Sequence, residues 1–537
     1  MKPLDRRLQQ LRDAGRMSLA RGRSVGAVAM EKAAAAPNKV AVVEGDRQVT
    51  RGELVDMACR LGGALLSRGV EPGAVIAFQL PNWWEACVIN LAAALFGYRL
   101  VPLLTIYRSA ELGTILPACG VEALFVPQQY RGKDFPALIA SLPEPPRRVL
   151  TLRGGAPGPD SFETLLAHAP AEPLLPPGDD AKMILFTSGS TGHPKGVLHS
   201  HASIEAIIRM AGEFWRIGPD DRLYIPSPIA HIGGSIYAFE FPWITDCTAV
   251  LAEIWDADRA VSDIEVGGCT FMAGATPFLQ GLIDASERAG TSLPSLRRFI
   301  CGGASVPPEL VRRGLARFPN AVVSRAYGSS EVPLVCPGIR NRAEAEVRAE
   351  TDGECEAELR IIGPDGEQVP DGEPGEIAVK AARMFLGYLD PRDDEGVFLD
   401  DGFFMMGDLG RRIDGKYLQI TGRTKDIIIR KGENISPLEI ENALARHDAV
   451  RQAAVIGVPD AERGEMVVAF VIPSEGRGFA FADMAAHLDR LGLAKQKFPE
   501  RLEVVTSFPV NAVGKVQKNQ LRERALSVSN SLGTTLK

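Results

Sequence analysis

The sequence has no excess of basic residues. Its 537 residues include 60 Lys and Arg against 67 Asp and Glu, which gives a net charge of -7 at pH 7. Proteins that bind nucleic acids usually carry a positive domain or a positive face. The charge therefore disfavours a nucleic-acid partner and fits a protein that acts on small molecules.

Long apolar runs are also missing. The most apolar window, residues 86–97, is well short of the roughly 20 residues that a membrane-spanning helix needs. The first residues, Met1 to Arg7, are charged and are not followed by the apolar core of a signal peptide. We expect no membrane span, and we predict a buried helix over 86–97.

Cysteine is sparse and has no metal-binding spacing. The 8 cysteines are scattered between Cys59 and Cys355 without a Cys-x-x-Cys pair, which argues against a zinc site and a disulfide framework. A reducing, cytoplasmic location is expected. With 45% hydrophobic residues, the chain can bury a large core and is long enough for at least two domains.

The most informative stretch runs from Phe186 to Gly196 and reads FTSGSTGHPKG. Its glycines allow tight turns that bring backbone N–H groups close to an anion, its hydroxyls add donors, and Lys195 adds positive charge. A Walker loop is excluded because Lys195 is followed by Gly196. A lipase elbow is excluded because no Gly-x-Ser-x-Gly occurs here. The stretch predicts a phosphate-binding loop rather than a flexible linker, which would not abut an apolar strand.

This loop resembles the signature loop of the adenylate-forming (AMP-binding) superfamily, which includes acyl-CoA synthetases, luciferases and peptide-synthetase adenylation domains. Further motifs follow in the order of that family: Tyr327-Gly328-Ser329-Ser330-Glu331, Met406-Gly407-Asp408, Gly422-Arg423-Thr424-Lys425-Asp426 and Gly514-Lys515. Residues 102–108, 253–256 and 271–278 resemble most closely cyclohexanecarboxylate-CoA ligase-like bacterial acyl-CoA ligases. Met406 and Ser330 depart from the usual threonines.

The resemblance implies an ATP site. The phosphate loop would hold the β- and γ-phosphates, Tyr327 would stack on adenine, Asp408 would accept the ribose hydroxyls, and Glu331 would bind Mg²⁺. Lys515 and Glu331 would be the catalytic residues. The nucleotide contacts implied in this way are Thr187, Ser188, Gly189, Ser190, Thr191, Gly192, Lys195, Gly303, Ala304, Tyr327, Gly328, Ser330, Asp408 and Arg423.

The resemblance also implies sites for the acid and for CoA. His231, Tyr237 and Ala304 would line the acyl pocket, and no aspartate follows His231 to hold an amino group, so an amino-acid substrate is disfavoured. The CoA side would be formed by Lys431, Gly432 and Glu433, with Lys425 as the hinge of the C-terminal domain. A homodimer is compatible with the resemblance.

The order of elements predicts an α/β fold. Strand-helix-strand repetition from Lys39 onward indicates mainly parallel sheets covered by helices, with a capping box at Thr50 and Glu53 and a helix cap at Asn82. A small antiparallel β unit is expected near residues 357–379 and a loop-rich connection over 143–180. The predicted domains are a large N-terminal domain, 1–424, and a small mobile α+β domain, 425–537.

We therefore predict an ATP-dependent carboxylic acid-CoA ligase that forms an acyl-adenylate and then a thioester. Its substrate would be an alicyclic, aromatic or medium-chain acid. Three alternatives stay open. They are an acyl-AMP ligase that loads a carrier protein, a luciferase-like oxidation of the adenylate, and a non-catalytic protein, which would be expected to lack Lys515, Glu331 or Asp408.

Overall fold

The computed structural model describes residues 3–16, 22–154, 158–188, 194–460, 462–510 and 515–533. Its helices are α1 Pro3–Asp13, α2 Val25–Ala35, α3 Arg51–Ser67, α4 Trp84–Phe96, α5 Ser109–Cys119, α6 Phe135–Ala140, α7 Phe162–Leu166, α8 His201–Trp215, α9 Ile232–Phe239, α10 Phe241–Ile244, α11 Ala257–Gly267, α12 Thr276–Ala289, α13 Pro308–Arg317, α14 Arg342–Val347, α15 Pro437–Leu444, α16 Phe481–Arg490 and α17 Lys518–Gly533.

The strands follow the same order along the chain. They are β1 Val40–Glu44, β2 Arg47–Thr50, β3 Val75–Phe78, β4 Arg99–Pro102, β5 Val121–Pro127, β6 Gln129–Tyr130, β7 Lys133–Asp134, β8 Arg148–Leu152, β9 Ala181–Ser188, β10 Pro194–Ser200, β11 Arg222–Ile225, β12 Thr248–Leu251, β13 Phe271–Gly274, β14 Arg298–Cys301, β15 Val322–Arg325, β16 Glu358–Ile362, β17 Gly375–Lys380, β18 Gly387–Tyr388, β19 Phe404–Ile413, β20 Tyr417–Arg423, β21 Ile428–Arg430, β22 Glu433–Ile435, β23 Val450–Asp460, β24 Gly464–Pro473 and β25 Arg501–Val504.

Two mainly parallel sheets form the large part of the molecule. The first has the strand order β15-β14-β13-β11-β12-β1-β2, and the second has the order β18-β10-β9-β4-β3-β5-β8. Among the strands that the structure describes, the antiparallel pairings in these sheets are β1 with β2, β9 with β10 and β10 with β18. Helix α4, which is buried along almost its whole length, packs in the largest core together with side chains of both sheets. These features confirm the predicted fold class and the buried helix.

The capping box predicted at the start of α3 is confirmed, because Thr50 and Glu53 exchange both of its hydrogen bonds. The prediction for Asn82 is wrong: Trp83 is the N-cap of α4. The buried Asn82 amide instead donates to the carbonyls of Ile225 and Ala252, at 3.1 and 3.0 Å, and accepts from Ile229 N at 3.0 Å. Asn82 thus links the end of β3 to the ends of β11 and β12 in the other sheet.

The predicted loop-rich connection also contains regular structure. Residues 148–152 form β8, which pairs parallel to β5 at the edge of the second sheet, and residues 162–166 form α7. The β8 strand is short and lies next to prolines, so its sequence pattern is weak, but pairing with β5 stabilises it.

The described residues form three further sheets, of which the smallest is the two-stranded pair β6-β7. The predicted antiparallel β unit is present as β16-β17-β19-β20, and the last sheet joins β22-β21-β24-β23 with β25 parallel to β24. Residues from Ile428 onward form separate hydrophobic clusters on the two faces of this last sheet. None of the described helices has both the length and the apolar character that crossing a membrane requires.

Candidate active site

The phosphate loop is carried by an antiparallel hairpin. Strands β9 and β10 pair with Thr187 opposite Lys195 and Ser188 opposite Pro194. The predicted contacts Gly189, Ser190, Thr191 and Gly192 lie outside the described residues. Strands β9 and β10 therefore form an antiparallel pair in the second sheet, and Lys195 lies at the start of β10.

Lys195 has two partners from a later segment of the chain. Its Nζ lies 3.0 Å from Asp393 Oδ1 and 4.9 Å from the centre of the Tyr388 ring. Both residues belong to the segment 385–394, which includes β18, and β18 pairs with β10. The hairpin and this segment therefore form one unit, and Lys195 is held at their junction.

Glu331 lies against the same segment. Tyr388 Oη donates to Glu331 Oε1 at 2.7 Å, and Phe385 N donates to the Glu331 carbonyl at 2.8 Å. Burial and the Glu331 carboxylate raise the pKa of Tyr388, so Tyr388 remains a hydrogen-bond donor. Among the described residues, Glu331 Oε2 makes no hydrogen bond or ion pair. One carboxylate oxygen is thus fixed and the other is available.

A single free carboxylate oxygen fits a Mg²⁺ ion that is shared with nucleotide phosphates. Mg²⁺ in such sites is bound by one or two carboxylates, by phosphate oxygens and by water. Within the described ranges, no group of three or more His, Cys, Asp and Glu side chains could hold a metal ion alone. Glu331 Oε2 is therefore a candidate oxygen ligand for such an ion.

A chain of hydrogen bonds connects the predicted adenine and ribose contacts. Tyr327 Oη donates to Asp408 Oδ2 at 2.8 Å, and Arg423 Nε lies 2.9 Å from Asp408 Oδ1. Asp408 and Arg423 are direct cross-strand neighbours on β19 and β20, so the sheet register fixes this pair. Burial, followed by the charge of Asp408, raises the pKa of Tyr327. The structure thus brings together three residues from separate motifs.

Glycine is suited to two of the predicted positions for different structural reasons. Gly303, just after β14, has a φ of +81°, and a Cβ there would meet nothing within 4 Å, so this backbone faces open space. Ala304 follows it and is partly buried. At Gly328 a Cβ would stand 2.5 Å from Leu334 N, so this glycine is required by packing within its own loop. Ser330 is buried, and its carbonyl lies 2.7 Å from His199 Nε2.

Lys515 reaches this site from the C-terminal part of the chain. Burial, together with the charge of Arg423, lowers the pKa of the Lys515 ammonium from 10.5 to about 8, and the opposing attraction of Asp408 and Asp426 is smaller. The positive charge of the same ammonium also lowers the pKa of His231. The charge of Lys515 therefore interacts with the Asp408–Arg423 pair and with His231 of the predicted acyl pocket.

His231 and Tyr237 stand at the two ends of α9. His231 is the N-cap, and its Nδ1 accepts from Gly233 N at 3.1 Å. Burial and then the charge of Lys515 lower its pKa to about 4. The ring is therefore neutral, and its proton is assigned to Nε2 because Nδ1 is an acceptor. Tyr237 is buried against the rings of Trp215, Phe241 and Phe271, with centroids 6.2, 5.4 and 5.7 Å away.

The predicted CoA side forms a tight hairpin. Lys431 and Gly432, with φ of +51° and +83°, are the two loop residues between β21 and β22, as a primed β-turn requires. Both of them and Glu433 are exposed. Lys425, the predicted hinge, is also exposed and lies in the short 3₁₀ turn Thr424–Asp426 between β20 and β21.

Sequence reasoning missed Tyr388 and Asp393. Tyr388 occurs in a short Gly-Tyr pair, and Asp393 belongs to a charged surface stretch, Pro391-Arg392-Asp393-Asp394. Neither pattern is distinctive alone. The pairing of β18 with β10 brings both to the phosphate loop, about 190 residues away in sequence, so no local signal could have found them.

The chain is similar to known proteins over most of its length. Residues 30–389 match the family described as AMP-binding enzyme, and residues 439–515 match the AMP-binding enzyme C-terminal domain. Medium-chain fatty-acid–CoA ligase of Escherichia coli (strain K12) is 32% identical over 504 residues, covering 92% of this chain and 89% of the relative.

A second relative, 3-[(3aS,4S,7aS)-7a-methyl-1,5-dioxo-octahydro-1H-inden-4-yl]propanoyl:CoA ligase of Rhodococcus jostii (strain RHA1), is 34% identical and covers 90% of this chain and 95% of the relative. The crystal structure of ATP-bound MatB from Rhodopseudomonas palustris superposes with a TM-score of 0.82 at 29% identity, over 93% of this chain and 98% of the other. By the extent of these matches, and as the order of its motifs predicts, the chain belongs to the AMP-binding enzyme family.

Proposed function

We propose that this protein is an ATP-dependent carboxylic acid-CoA ligase, an AMP-forming acyl-CoA synthetase. The observation that carries the proposal is the position of Lys515. Its ammonium interacts electrostatically with Asp408, Arg423 and His231. A cation whose charge acts on both the proposed nucleotide contacts and the proposed acyl pocket is suited to joining a carboxylate to a phosphate.

In the first half-reaction a carboxylate oxygen of the acid attacks the α-phosphorus of ATP. A bond forms between that oxygen and phosphorus, the bond to the β-phosphate oxygen breaks, and pyrophosphate leaves. Charge builds on the non-bridging oxygens, so catalysis consists mainly of positioning and electrostatic stabilisation. Lys515 would bridge the carboxylate and the α-phosphate, while Lys195 and the hairpin loop would hold the pyrophosphate portion.

The Tyr327–Asp408–Arg423 chain would bind the nucleoside. Both Asp408 oxygens already accept hydrogen bonds or an ion pair, and a carboxylate has lone pairs left for the two ribose hydroxyls. Gly303 and Ala304 would form the open surface beside the adenine. Glu331 Oε2 would bind Mg²⁺, which supplies charge neutralisation for the phosphates when it is bound.

In the second half-reaction the thiol of CoA attacks the carbonyl carbon of the acyl-adenylate. A carbon–sulfur bond forms, the bond to the AMP oxygen breaks, and the thiol proton is released to solvent. For this step we propose a rotation of the C-terminal domain, residues 425–537, about Lys425, which would withdraw Lys515 and present the hairpin of Lys431, Gly432 and Glu433. Hinges at the ends of elements commonly absorb such movements.

For the substrate we propose an alicyclic, aromatic or medium-chain acid. Relatives named for medium-chain fatty acids and for a bicyclic propanoate support this class. The aromatic residues around Tyr237 on α9 favour an apolar acyl group. A carrier protein as the thiol acceptor is the alternative, and the homodimer remains a prediction that light scattering tests.

The test is a panel of carboxylic acids in a pyrophosphate-release assay, with and without CoA. We expect acid-dependent release with apolar ring-bearing or medium-chain acids, and acyl-CoA formation when CoA is present. Release that is accompanied by acylation of a carrier protein but not of CoA would favour the alternative. A protein that releases no pyrophosphate with any acid of the panel would contradict the proposal.

A further inference from the structure

Tyr388 lies between the two groups that the proposed function places at the phosphates. Its hydroxyl donates to Glu331 Oε1 at 2.7 Å, and its ring centre is 4.9 Å from Lys195 Nζ. We propose that Tyr388 is a positioning residue of the ATP site, which fixes the Glu331 carboxylate so that Oε2 is presented to Mg²⁺. This inference rests on the proposed function and adds a residue that the sequence motifs did not identify.

The backbone around Tyr388 is tied to both sides of the site. Tyr388 pairs with Val197 of β10, and Leu389 N donates to the carbonyl of Gly196 at 2.7 Å. On the other side, Phe385 N donates to the carbonyl of Glu331 at 2.8 Å. The segment 385–389 therefore connects the phosphate hairpin to the Glu331 loop by main-chain bonds, which restricts where the tyrosine ring can lie.

The N-terminal helix α1 adds a second restraint. The buried Arg7 donates from Nε to the Tyr388 carbonyl at 2.7 Å and pairs with Asp394. Asp394 also accepts from Tyr388 N at 2.9 Å. The carbonyl and the N–H of Tyr388 are thus each bound by a charged side chain, Arg7 and Asp394 respectively.

This arrangement has a specific consequence for metal binding. A carboxylate whose one oxygen is held by a hydroxyl cannot rotate freely, so the direction of its other oxygen is set before the metal arrives. Loss of such an orienting partner typically costs about 10–100-fold in metal affinity. The ring of Tyr388 would also keep Lys195 in place through a cation–π contact, which does not depend on the hydroxyl.

The test is Tyr388→Phe, which keeps the ring and removes the hydroxyl. Calorimetric titrations with ATP, in the presence and absence of Mg²⁺, measure binding independently of turnover. We expect the Kd of MgATP to rise about tenfold, while the Kd of metal-free ATP changes less than about twofold because the ring contact to Lys195 is retained. The Mg²⁺ concentration that half-saturates ATP–pyrophosphate exchange should rise in parallel.

Tyr98→Phe is the matched control. Tyr98 is buried, and its hydroxyl donates to the Val70 carbonyl at 3.1 Å, in the core beside α3 and α4. This variant should bind MgATP and metal-free ATP as the wild type does. If Tyr388→Phe does not fold, Arg7→Gln loosens the same segment without touching the hydroxyl, and it should weaken MgATP selectively by a few-fold.

Three results would overturn the inference. They are an unchanged Kd of MgATP in Tyr388→Phe, an equal loss of affinity for ATP with and without Mg²⁺, and, where that variant is unfolded, an Arg7→Gln protein without selective loss. Failure of the proposed function is a separate outcome, because in that case the wild-type protein itself would show no acid-dependent exchange.

Discussion

The lowered pKa of Lys515 predicts how the first half-reaction responds to pH. Burial and the charge of Arg423 bring this pKa down from 10.5 to about 8. Only the protonated ammonium can stabilise the charge that develops on the α-phosphate. The kcat/KM for ATP should therefore decrease as the pH rises through about 8, since this parameter reports the titration of the free enzyme.

The size of the effect follows from a single-site titration. With a pKa of about 8, roughly nine-tenths of the free enzyme is protonated at pH 7 and about 3% at pH 9.5, so kcat/KM should fall roughly 30-fold. Lys515→Arg keeps its charge throughout, so its lower activity should not change over this range. Lys515→Ala should lose about 100- to 1000-fold, as when a single oxyanion donor is removed.

The assay is ATP–pyrophosphate exchange at a subsaturating concentration of acid and without CoA, so that kcat/KM reports the free enzyme and the titration of the CoA thiol does not contribute. A second assay supplies preformed acyl-adenylate and CoA, and Lys515→Ala should still form thioester in it. Lys495→Ala, which removes an exposed lysine paired with Asp489, is the control and should leave both assays unchanged. A wild-type kcat/KM that stays constant from about pH 7 to 9.5, or equal loss of both half-reactions in Lys515→Ala, would refute the reasoning.

Three further predictions concern other parts of the site and its support. Asp408→Asn should lower kcat/KM for ATP in the exchange assay by about 10- to 100-fold, because charged hydrogen bonds to ribose and the ion pair with Arg423 are weakened. Gly328→Ala should lower the melting temperature, since the Cβ would stand 2.5 Å from a backbone nitrogen, an overpacking that costs about 1–3 kcal/mol. Lys182→Met should lower the urea midpoint of unfolding by leaving Glu240 buried without its 2.7 Å ion pair, a loss of about 3–5 kcal/mol, and Lys182→Met combined with Glu240→Leu should recover most of it.

The sequence predicted the elements whose determinants are local. The capping box of α3 lies within Thr50 to Glu53, and the apolar run of α4 is interrupted only by Asn90 between residues 86 and 96, so both could be predicted without knowledge of the fold. The nucleotide residues were predicted for a different reason: each stands in a short motif that resembles those of the family. The Asp408–Arg423 pair could be anticipated as two motif residues, but their direct pairing depends on the register of β19 and β20.

Contacts between distant segments were not predictable in this way. Asn82 was predicted as a helix cap because its local sequence allowed it, yet its amide is taken by the ends of β11 and β12. Likewise, Lys182 and Glu240 are 2.7 Å apart and fully buried, although nothing near either residue indicates a buried charge. Such contacts depend on how the two sheets pack, which a single sequence without an alignment does not reveal.

The surroundings of the two site lysines distinguish their roles. Lys195 has an acidic partner, Asp393 at 3.0 Å, and an aromatic ring beside it, so its charge is compensated before any phosphate arrives. At Lys515 the loss of water and the repulsion of Arg423 outweigh the attraction of Asp408 and Asp426 and lower its pKa to about 8, so its charged form is less stable than that of a lysine in water. A group of this kind gains most when negative charge develops beside it. This is the behaviour expected of a lysine that acts in one half-reaction and withdraws for the next, whereas the anchored Lys195 suits a phosphate contact.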